Sequence, residues 1–318
     1  MSSATDRQII SGFIMALSAA IFWGISGTCA QFLFEQRNVD PAWLVSWRML
    51  IAGIILVTFA IARKNSDVWK IWRKPQDAVQ ILVFGIFGMV AVQFTYFYSI
   101  SLSNAATATV LQYIGPVFVV VFYAIKNRRW PIFMEYLALI LALTGTFLLV
   151  THGTWDSLVI SEAAVFWGIL SAIALAFYTI QPVQLLRRYS APTVTGWGML
   201  IGGISFSVYT NPWESSGVWD PGTWAAFSYI ILFGTVISFS IFLASLNFIG
   251  AQTASLLCSV EPLSAALTAV IWLNLQFTFM DWLGTLVIII TVVILTLAKK
   301  VKKSKLPIRP VERPISSP

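Results

Sequence analysis

Residues 105–116 read AATATVLQYIGP, and residues 251–262 read AQTASLLCSVEP. Ala105, Thr107, Ala108, Leu111 and Pro116 recur 146 positions later as Ala251, Thr253, Ala254, Leu257 and Pro262. The same shift carries Glu135 onto Asp281 and Leu137 onto Leu283. Each copy is an apolar stretch with a proline inside it, a short polar break, and an acid opening a second apolar stretch. The fold is therefore a doubled one, with a helix broken at the same place in both copies, because proline cannot donate to the carbonyl four residues back.

The doubling extends outward from this stretch. Ala19, Ala20, Phe22, Trp23, Gly24 and Ile25 reappear 144 positions later as Ala163, Ala164, Phe166, Trp167, Gly168 and Ile169. Trp47, Met49, Leu50, Ile51, Gly53 and Ile54 reappear at a shift of 150 as Trp197, Met199, Leu200, Ile201, Gly203 and Ile204. Apolar residues match by chance in any apolar chain. Trp-Gly and Gly-Pro/Glu-Pro landmarks recurring in one order do not.

Composition sets the solvent. Hydrophobic residues make up 58% of the 318 and charged residues 10%, and the mean hydropathy is +0.81. A water-soluble domain carries about 25% charged residues. A lipid interior accepts only helices or closed barrels, since every backbone N–H and C=O must be paired there. The apolar runs, such as 137–150 and 286–297, show none of the alternation of barrel strands. The expected class is an all-α integral membrane protein with ten transmembrane helices arranged as two inverted five-helix repeats.

The ten spans are expected near 10–34, 42–62, 78–100, 104–125, 132–151, 163–186, 192–210, 223–247, 252–273 and 281–298. The first exceeds the apolar core of a signal peptide, about 7–15 residues, and is expected to be retained. Residues 10–151 and 163–298 form the two repeats. Residues 1–9 precede them, and 299–318 form a basic tail expected to be disordered. Of the 20 Lys and Arg, Arg37 alone falls on one side and Arg48 lies inside a span. The other 18 share the opposite side: Arg7; Arg63, Lys64, Lys70, Arg73 and Lys74; Lys126, Arg128 and Arg129; Arg187 and Arg188; and seven from Lys299 to Arg313. Positive loops stay in the cytoplasm, so both termini are expected there, in a cell (inner or plasma) membrane. The net charge of +7 then follows from topology and suits the lipid bilayer; no nucleic-acid partner is expected. Five spans per half is an odd number, so the second half enters from the opposite side. That is the inverted-repeat logic of secondary transporters, whose site lies near the midplane between the halves.

These residues resemble a known family. Two five-helix halves, a Trp-Gly in the first helix of each, a proline inside the fourth, and an acid opening the fifth are similar to the EamA branch of the drug/metabolite transporter superfamily. The run Ala254-Ser-Leu-Leu-Cys-Ser-Val-Glu-Pro-Leu263 resembles that family's ninth helix, and the likeness spans about 12–297. It implies a transporter of small metabolites, often an exporter of amino acids or related compounds, with a central cavity. The family commonly closes its fourth and ninth helices with Gly-Glu; the corresponding positions here are Arg128-Arg129 and Asn274-Leu275.

Candidate site residues follow from polarity inside the spans. Glu261 lies nine residues into its helix, about 14 Å deep. A carboxylate there faces a cavity or a partner. It either binds a cationic group or a proton, or braces the kink at Pro262, whose ring frees the carbonyl of Cys258. Pro116 likewise frees the carbonyl of Gln112. Gln112 and Tyr113 mirror Cys258 and Ser259, and all but Cys258 are cavity candidates. Arg48 receives a substrate carboxylate, or snorkels to the interface, or bridges a fixed acid. Its repeat counterpart is Gly198. Trp23, Tyr96, Trp167 and Tyr178 sit inside spans as cavity wall or plain packing. Tyr96 and Tyr98, two apart on a helix, face different ways.

No phosphate-binding Gly-x-x-x-x-Gly-Lys-Ser/Thr and no His-Glu-x-x-His occurs, and His152 is the single histidine. No metal and no cofactor are expected, and no catalytic residue is assigned. The expected partner is a small-molecule metabolite, the expected state a monomer or homodimer. The alternative classes are a membrane-embedded lipid-modifying enzyme and a sensor or channel without substrate turnover.

Overall fold

A computed structural model describes residues 6–63, 67–128, 130, 133–151, 161–214, 216–276 and 278–304. Within these the side chains of Pro116, Glu135 and Ser259 lie outside the description, and so does all of His152. The described residues form helices and no strand.

The first half comprises α1 (Asp6–Arg37), α2 (Pro41–Ala62), a short α3 (Asp67–Arg73), α4 (Pro75–Val83), α5 (Ala91–Leu102), α6 (Ala105–Gln112), α7 (Gly115–Lys126) and α8 (Phe133–Thr151). The second comprises α9 (Glu162–Ile180), α10 (Val183–Leu186), α11 (Ala191–Thr210), α12 (Pro221–Ile231), α13 (Ser238–Leu257), α14 (Glu261–Leu273) and α15 (Phe279–Ser304). The expected spans fall on helices, the eighth and ninth joined in α13 across a kink at Gly250, where φ is 75°. Six of them, Asp6–Arg37, Pro41–Ala62, Pro75–Leu102, Ala105–Lys126, Glu162–Leu186 and Pro221–Ala251, are long and apolar enough to cross a membrane. The last helix differs from expectation. It runs on to Ser304, so residues 299–304, read as the start of a disordered tail, continue α15. The loop after α2 also holds an unexpected helix, α3, whose Trp69 and Trp72 pack edge-on against Trp197 of α11.

Helix starts follow local chemistry. Asp40, Asn104 and Asp220 accept hydrogen bonds from the backbone N–H of Trp43, Thr107 and Thr223 at 2.7–2.8 Å. Pro41 and Pro221 occupy first-turn positions, where a missing N–H costs nothing. Thr278 and Asp281 cap each other reciprocally at the start of α15.

The packing expresses the doubling. α1 packs on α12, α13 and α14 of the second half, while its counterpart α9 packs on α5, α6 and α7 of the first. α2 meets α11 and α8 meets α15, each helix pairing with its own repeat partner, and α6 of the first broken helix meets α14 of the second. Two pairs of glycines make this possible. A Cβ on Gly53 would stand 2.6 Å from the backbone N of Leu200, and one on Gly203 would stand 2.9 Å from that of Leu50. Likewise Gly24 abuts the carbonyl of Glu261, at 2.6 Å from an added Cβ, and its counterpart Gly168 abuts Leu111, at 2.5 Å. In lipid, helices associate through close packing, and small residues permit it. The recurrent Gly of the sequence repeat is thus the contact point of one half on the other.

One shared feature was invisible in the sequence. The third apolar helix of each half opens into a π-helical turn, Phe84–Val90 in the first and Leu232–Ile237 in the second. Such turns widen the ladder and release backbone carbonyls, often at functional sites.

Candidate functional site

The two proline breaks meet. α6 ends at Gln112 and α7 resumes at Gly115; α13 ends at Leu257, and after a 3-10 turn α14 starts at Glu261. Tyr113 of the first break donates its hydroxyl to the carbonyl of Cys258, the one expected to be freed by Pro262. The same hydroxyl lies 3.1 Å from Glu261 Oε2. One copy of the motif therefore satisfies the broken backbone of the other.

Beside this junction lies a cavity lined by Trp23, Ser26, Arg48, Val92, Gln93, Tyr96, Phe97, Gln112, Leu175, Tyr178, Phe239 and Glu261. It draws on α1, α2, α5, α6, α9, α13 and α14. It is narrow: about 40 Å³ is open to the centres of water-sized spheres, room for about three waters at about 10–15 Å³ each. Glu261 and Gln112 are each 4% exposed. Tyr96 donates to or accepts from Thr109 Oγ1 at 2.7 Å. Trp23 packs edge-on against Phe239, 5.0 Å between ring centres, and Tyr178 does so at 5.5 Å. Trp23 Nε1, Ser26 Oγ, Gln93 Oε1 and Tyr178 Oη are buried with no hydrogen-bond partner among the described residues. Buried polar groups are normally paired. A set of unpaired ones around one cavity marks it as a place for a polar guest.

Arg48 corrects the plainer expectations. It neither snorkels nor bridges an acid: it is 3% exposed, and no carboxylate lies within 4 Å of it among the described residues. Its Nε donates to Thr235 Oγ1 at 3.0 Å and its Nη2 to the carbonyl of Gly234 at 3.2 Å, both in the second π-helical turn. The guanidinium lies 4.4 Å from the centre of the Phe97 ring.

Of the expected site residues, the cavity brings together Glu261, Gln112, Trp23, Tyr96, Tyr178 and Arg48, and Tyr113 reaches it through Glu261. Trp167 is elsewhere. It packs against Tyr98 at 4.9 Å and Phe94 at 5.6 Å, because the local packing of the first half offers it an aromatic nest where Trp23 has the cavity. Ser259's side chain is outside the described residues. Sequence reasoning missed Gln93, Ser26, Phe97 and Phe239. A polar Gln93 three residues before Tyr96 inside an apolar helix was the available signal.

Above and below the cavity the halves are tied. On the face with the basic loops, the fully buried Asp77 of α4 accepts from Arg188 and, at 2.7 Å, from the hydroxyl of Tyr189. Gln181 Nε2 donates to the carbonyl of Gln80 at 2.9 Å. Burial, then the bond to Asp77, pushes the Tyr189 phenol up to about 12. On the opposite face, Arg37 Nη2 pairs with Asp220 at 2.8 Å, Asp40 N–H donates to Ser216, and Trp43 and Trp47 donate to the carbonyls of Glu214 and Pro212. The N–H of Thr223, its hydroxyl and Arg37 hold the Asp220 carboxyl down at about 2. Each clasp joins a basic residue before the second helix of one half to an acid at the start of the third helix of the other.

Comparison with known proteins agrees with this arrangement. The model of the EamA-like transporter family matches residues 10–151 and again 162–297. The chain belongs to the EamA-like transporter family. It is 41% identical over 286 residues to an uncharacterized inner membrane transporter of Salmonella typhimurium, YicL, covering 90% of this chain and 95% of the relative. It is 22% identical to an uncharacterized transporter of Bacillus subtilis, YwfM, over 92% of this chain and 95% of that one. A solved crystal structure superposes with a TM-score of 0.69 at 17% identity, covering 92% of this chain and 99% of the other, a likeness of fold. The EamA-family chain is thus a membrane transporter by family and by relatives, and among the described residues it groups no three His, Cys, Asp or Glu that could hold a metal.

Proposed function

We propose that this EamA-family protein is a secondary transporter that moves a small organic metabolite, an amino acid or a related amphipathic compound, by alternating access, in the export direction. In this reading ten helical spans cross an inner membrane with both termini in the cytoplasm, an orientation that the distribution of Lys and Arg supports. The halves 10–151 and 163–298 rock about the cavity, the chain acting as monomer or homodimer. The observation that carries this reading is the cavity at the junction of the two proline breaks, with a buried acid, a buried guanidinium and unpaired polar atoms on its wall. Its narrowness fits a contracted member of a cycle: an organic guest of ordinary size needs the aromatic wall of Trp23, Tyr178 and Phe239 to part. The two clasps supply the hinges of such a cycle, one near each face. Glu261 is the proposed proton carrier if export is proton-coupled. The test is uptake of labelled amino acids and related metabolites into proteoliposomes, set against empty vesicles. Saturable, counterflow-competent uptake is expected; uptake no greater than the empty vesicles across the panel contradicts the proposal. A Glu261→Gln protein that transports with unchanged pH dependence contradicts the proton role alone.

A further inference from the structure

Arg48 and Glu261, the two charges of the cavity, each correspond to a glycine in the other copy: Arg48 to Gly198, Glu261 to Gly115. The mirrored contact at Gly198 shows what the scaffold requires at Arg48's position. α11 meets the π-helical turn of the first half through Gly198, where an added Cβ would stand 2.8 Å from the Phe84 ring. α2 meets the π-helical turn of the second half through Arg48, which bonds Thr235 and Gly234. The same joint is closed in one half by an aromatic ring against glycine and in the other by a guanidinium. Packing therefore does not call for a cation here, and a cation inside a lipid-embedded bundle is costly.

What the guanidinium leaves free points to a ligand. Its Nε and Nη2 are held by the π-helical turn and one face by Phe97, which fixes its direction. Among the described residues its hydrogen bonds run from Nε and Nη2 alone, and Arg48 lines the cavity. Ser26 stands against the same turn, its Oγ only 2.2 Å from where a Cβ on Gly234 would be. Ser26 Oγ, Trp23 Nε1 and Tyr178 Oη are unpaired as well, and each can donate. A wall of unpaired donors around a fixed guanidinium suits acceptor oxygens carrying negative charge. On the wall of the same cavity Glu261 offers the opposite chemistry, an acceptor backed by Tyr113.

We propose that Arg48 receives the anionic group of the transported molecule while Glu261 holds its donor-bearing end, so that the substrate is a small dipolar compound. The proposal rests on the transporter reading above. A dipolar guest answers both groups, with an acid for Arg48 and a donor for Glu261, where a simple anion or cation answers one.

The experiment uses the purified full-length protein in nanodiscs and matched trios of probes: L-phenylalanine, phenethylamine and 3-phenylpropionate; L-leucine, 3-methylbutylamine and 4-methylpentanoate; and the same sets for other α-amino acids. Thermal stabilisation gives the affinities, and proteoliposome uptake gives transport. Dipolar members are expected to bind best. Arg48→Gln is expected to weaken them by about 30-fold or more, as for loss of one partner of a desolvated charge pair, with the amines unaffected. Arg48→Lys restores part of the loss. Should Arg48→Gln not fold, Thr235→Val and Phe97→Leu, which loosen the guanidinium, carry the test with a several-fold loss confined to acid-bearing probes. Amines that bind as well as their parents, or variants that keep full affinity for the acid-bearing probes, overturn the assignment. A neutral or cationic compound transported at the same rate by wild type and Arg48→Gln overturns it while leaving the transporter reading intact. If no probe binds or is taken up at all, both fall.

Discussion

In the first half the residue before the helix-breaking proline is Gly115, and a Cβ there would already stand 3.0 Å from the carbonyl of Ala172 and from Leu175. In the second half it is Glu261, buried, bonded by Tyr113 and facing the cavity. The two sites share an origin and a backbone break, yet one is sealed by close packing and the other is open to a guest. The clasps differ in the same manner: Asp77 is buried on one face, whereas Arg37 and Asp220 are 26% and 39% exposed on the other. A duplicated fold thus keeps its joints alike and concentrates its chemistry on one copy of each.

Moving the acid to the other copy is the harshest way to break this comparison. Gly115→Glu places a carboxylate against a backbone carbonyl and an aliphatic side chain. It is expected to cost about 3 kcal/mol or more, from overpacking and an unpaired charge in the membrane. Thermal melting in detergent checks this; a melting point equal to wild type means that Gly115 is not sealed. Next comes the buried clasp. Asp77→Asn removes the shared charge between Arg188 and Tyr189 and is expected to destabilise by about 1–3 kcal/mol. The raised Tyr189 phenol sharpens it. Its hydrogen bond is fully present below about pH 10, the ordinary tyrosine value, and is lost as pH rises through about 12. Melting points of wild type should therefore fall in that alkaline window, and less so in Tyr189→Phe.

Tyr113→Phe cuts the link between the two breaks, leaving the carbonyl of Cys258 and Glu261 short of a donor. About 1–2 kcal/mol is expected, since polar contacts between membrane helices are worth less than their burial suggests. The smallest effect belongs to the exposed clasp. Arg37→Ala should barely move the melting temperature, as solvent screens the pair. Because Asp220 titrates near 2, below the ordinary carboxylate value, its contribution is complete above about pH 4 and is lost only as pH falls through about 2. A wild-type stability change between pH 5 and 8 that Arg37→Ala abolishes would contradict this.

Much of the scaffold was legible from residue identity. The recurrence of Gly24 as Gly168 and of Gly53 as Gly203 belonged to the repeat, and the structure turns both pairs into reciprocal helix contacts. The freed carbonyl of Cys258 followed from Pro262 alone, and its partner Tyr113 was already a candidate. Tyr96 and Tyr98 were known to diverge, and they do, one to the cavity and one to Trp167. The π-helical turns were not legible, because a single inserted residue in a helix leaves no distinct pattern in Phe84–Val90 or Leu232–Ile237. Arg48 was a cavity candidate from the sequence, but its anchor was hidden: the carbonyl of Gly234 that holds it lies in that turn. Trp23 and Trp167 look alike in sequence, and only the packing of Phe94 and Tyr98 separates their roles.

The central claim is that the working site lies where the two breaks meet and draws its acid from the second copy. The direct measurement is counterflow in proteoliposomes by wild type and Glu261→Gln, using the metabolite that most stabilises the wild-type protein. The account predicts a rate at least about tenfold lower in Glu261→Gln, the loss expected for an interaction worth about 1.4 kcal/mol or more, with an unchanged melting temperature. An undiminished rate in a well-folded Glu261→Gln protein would contradict it.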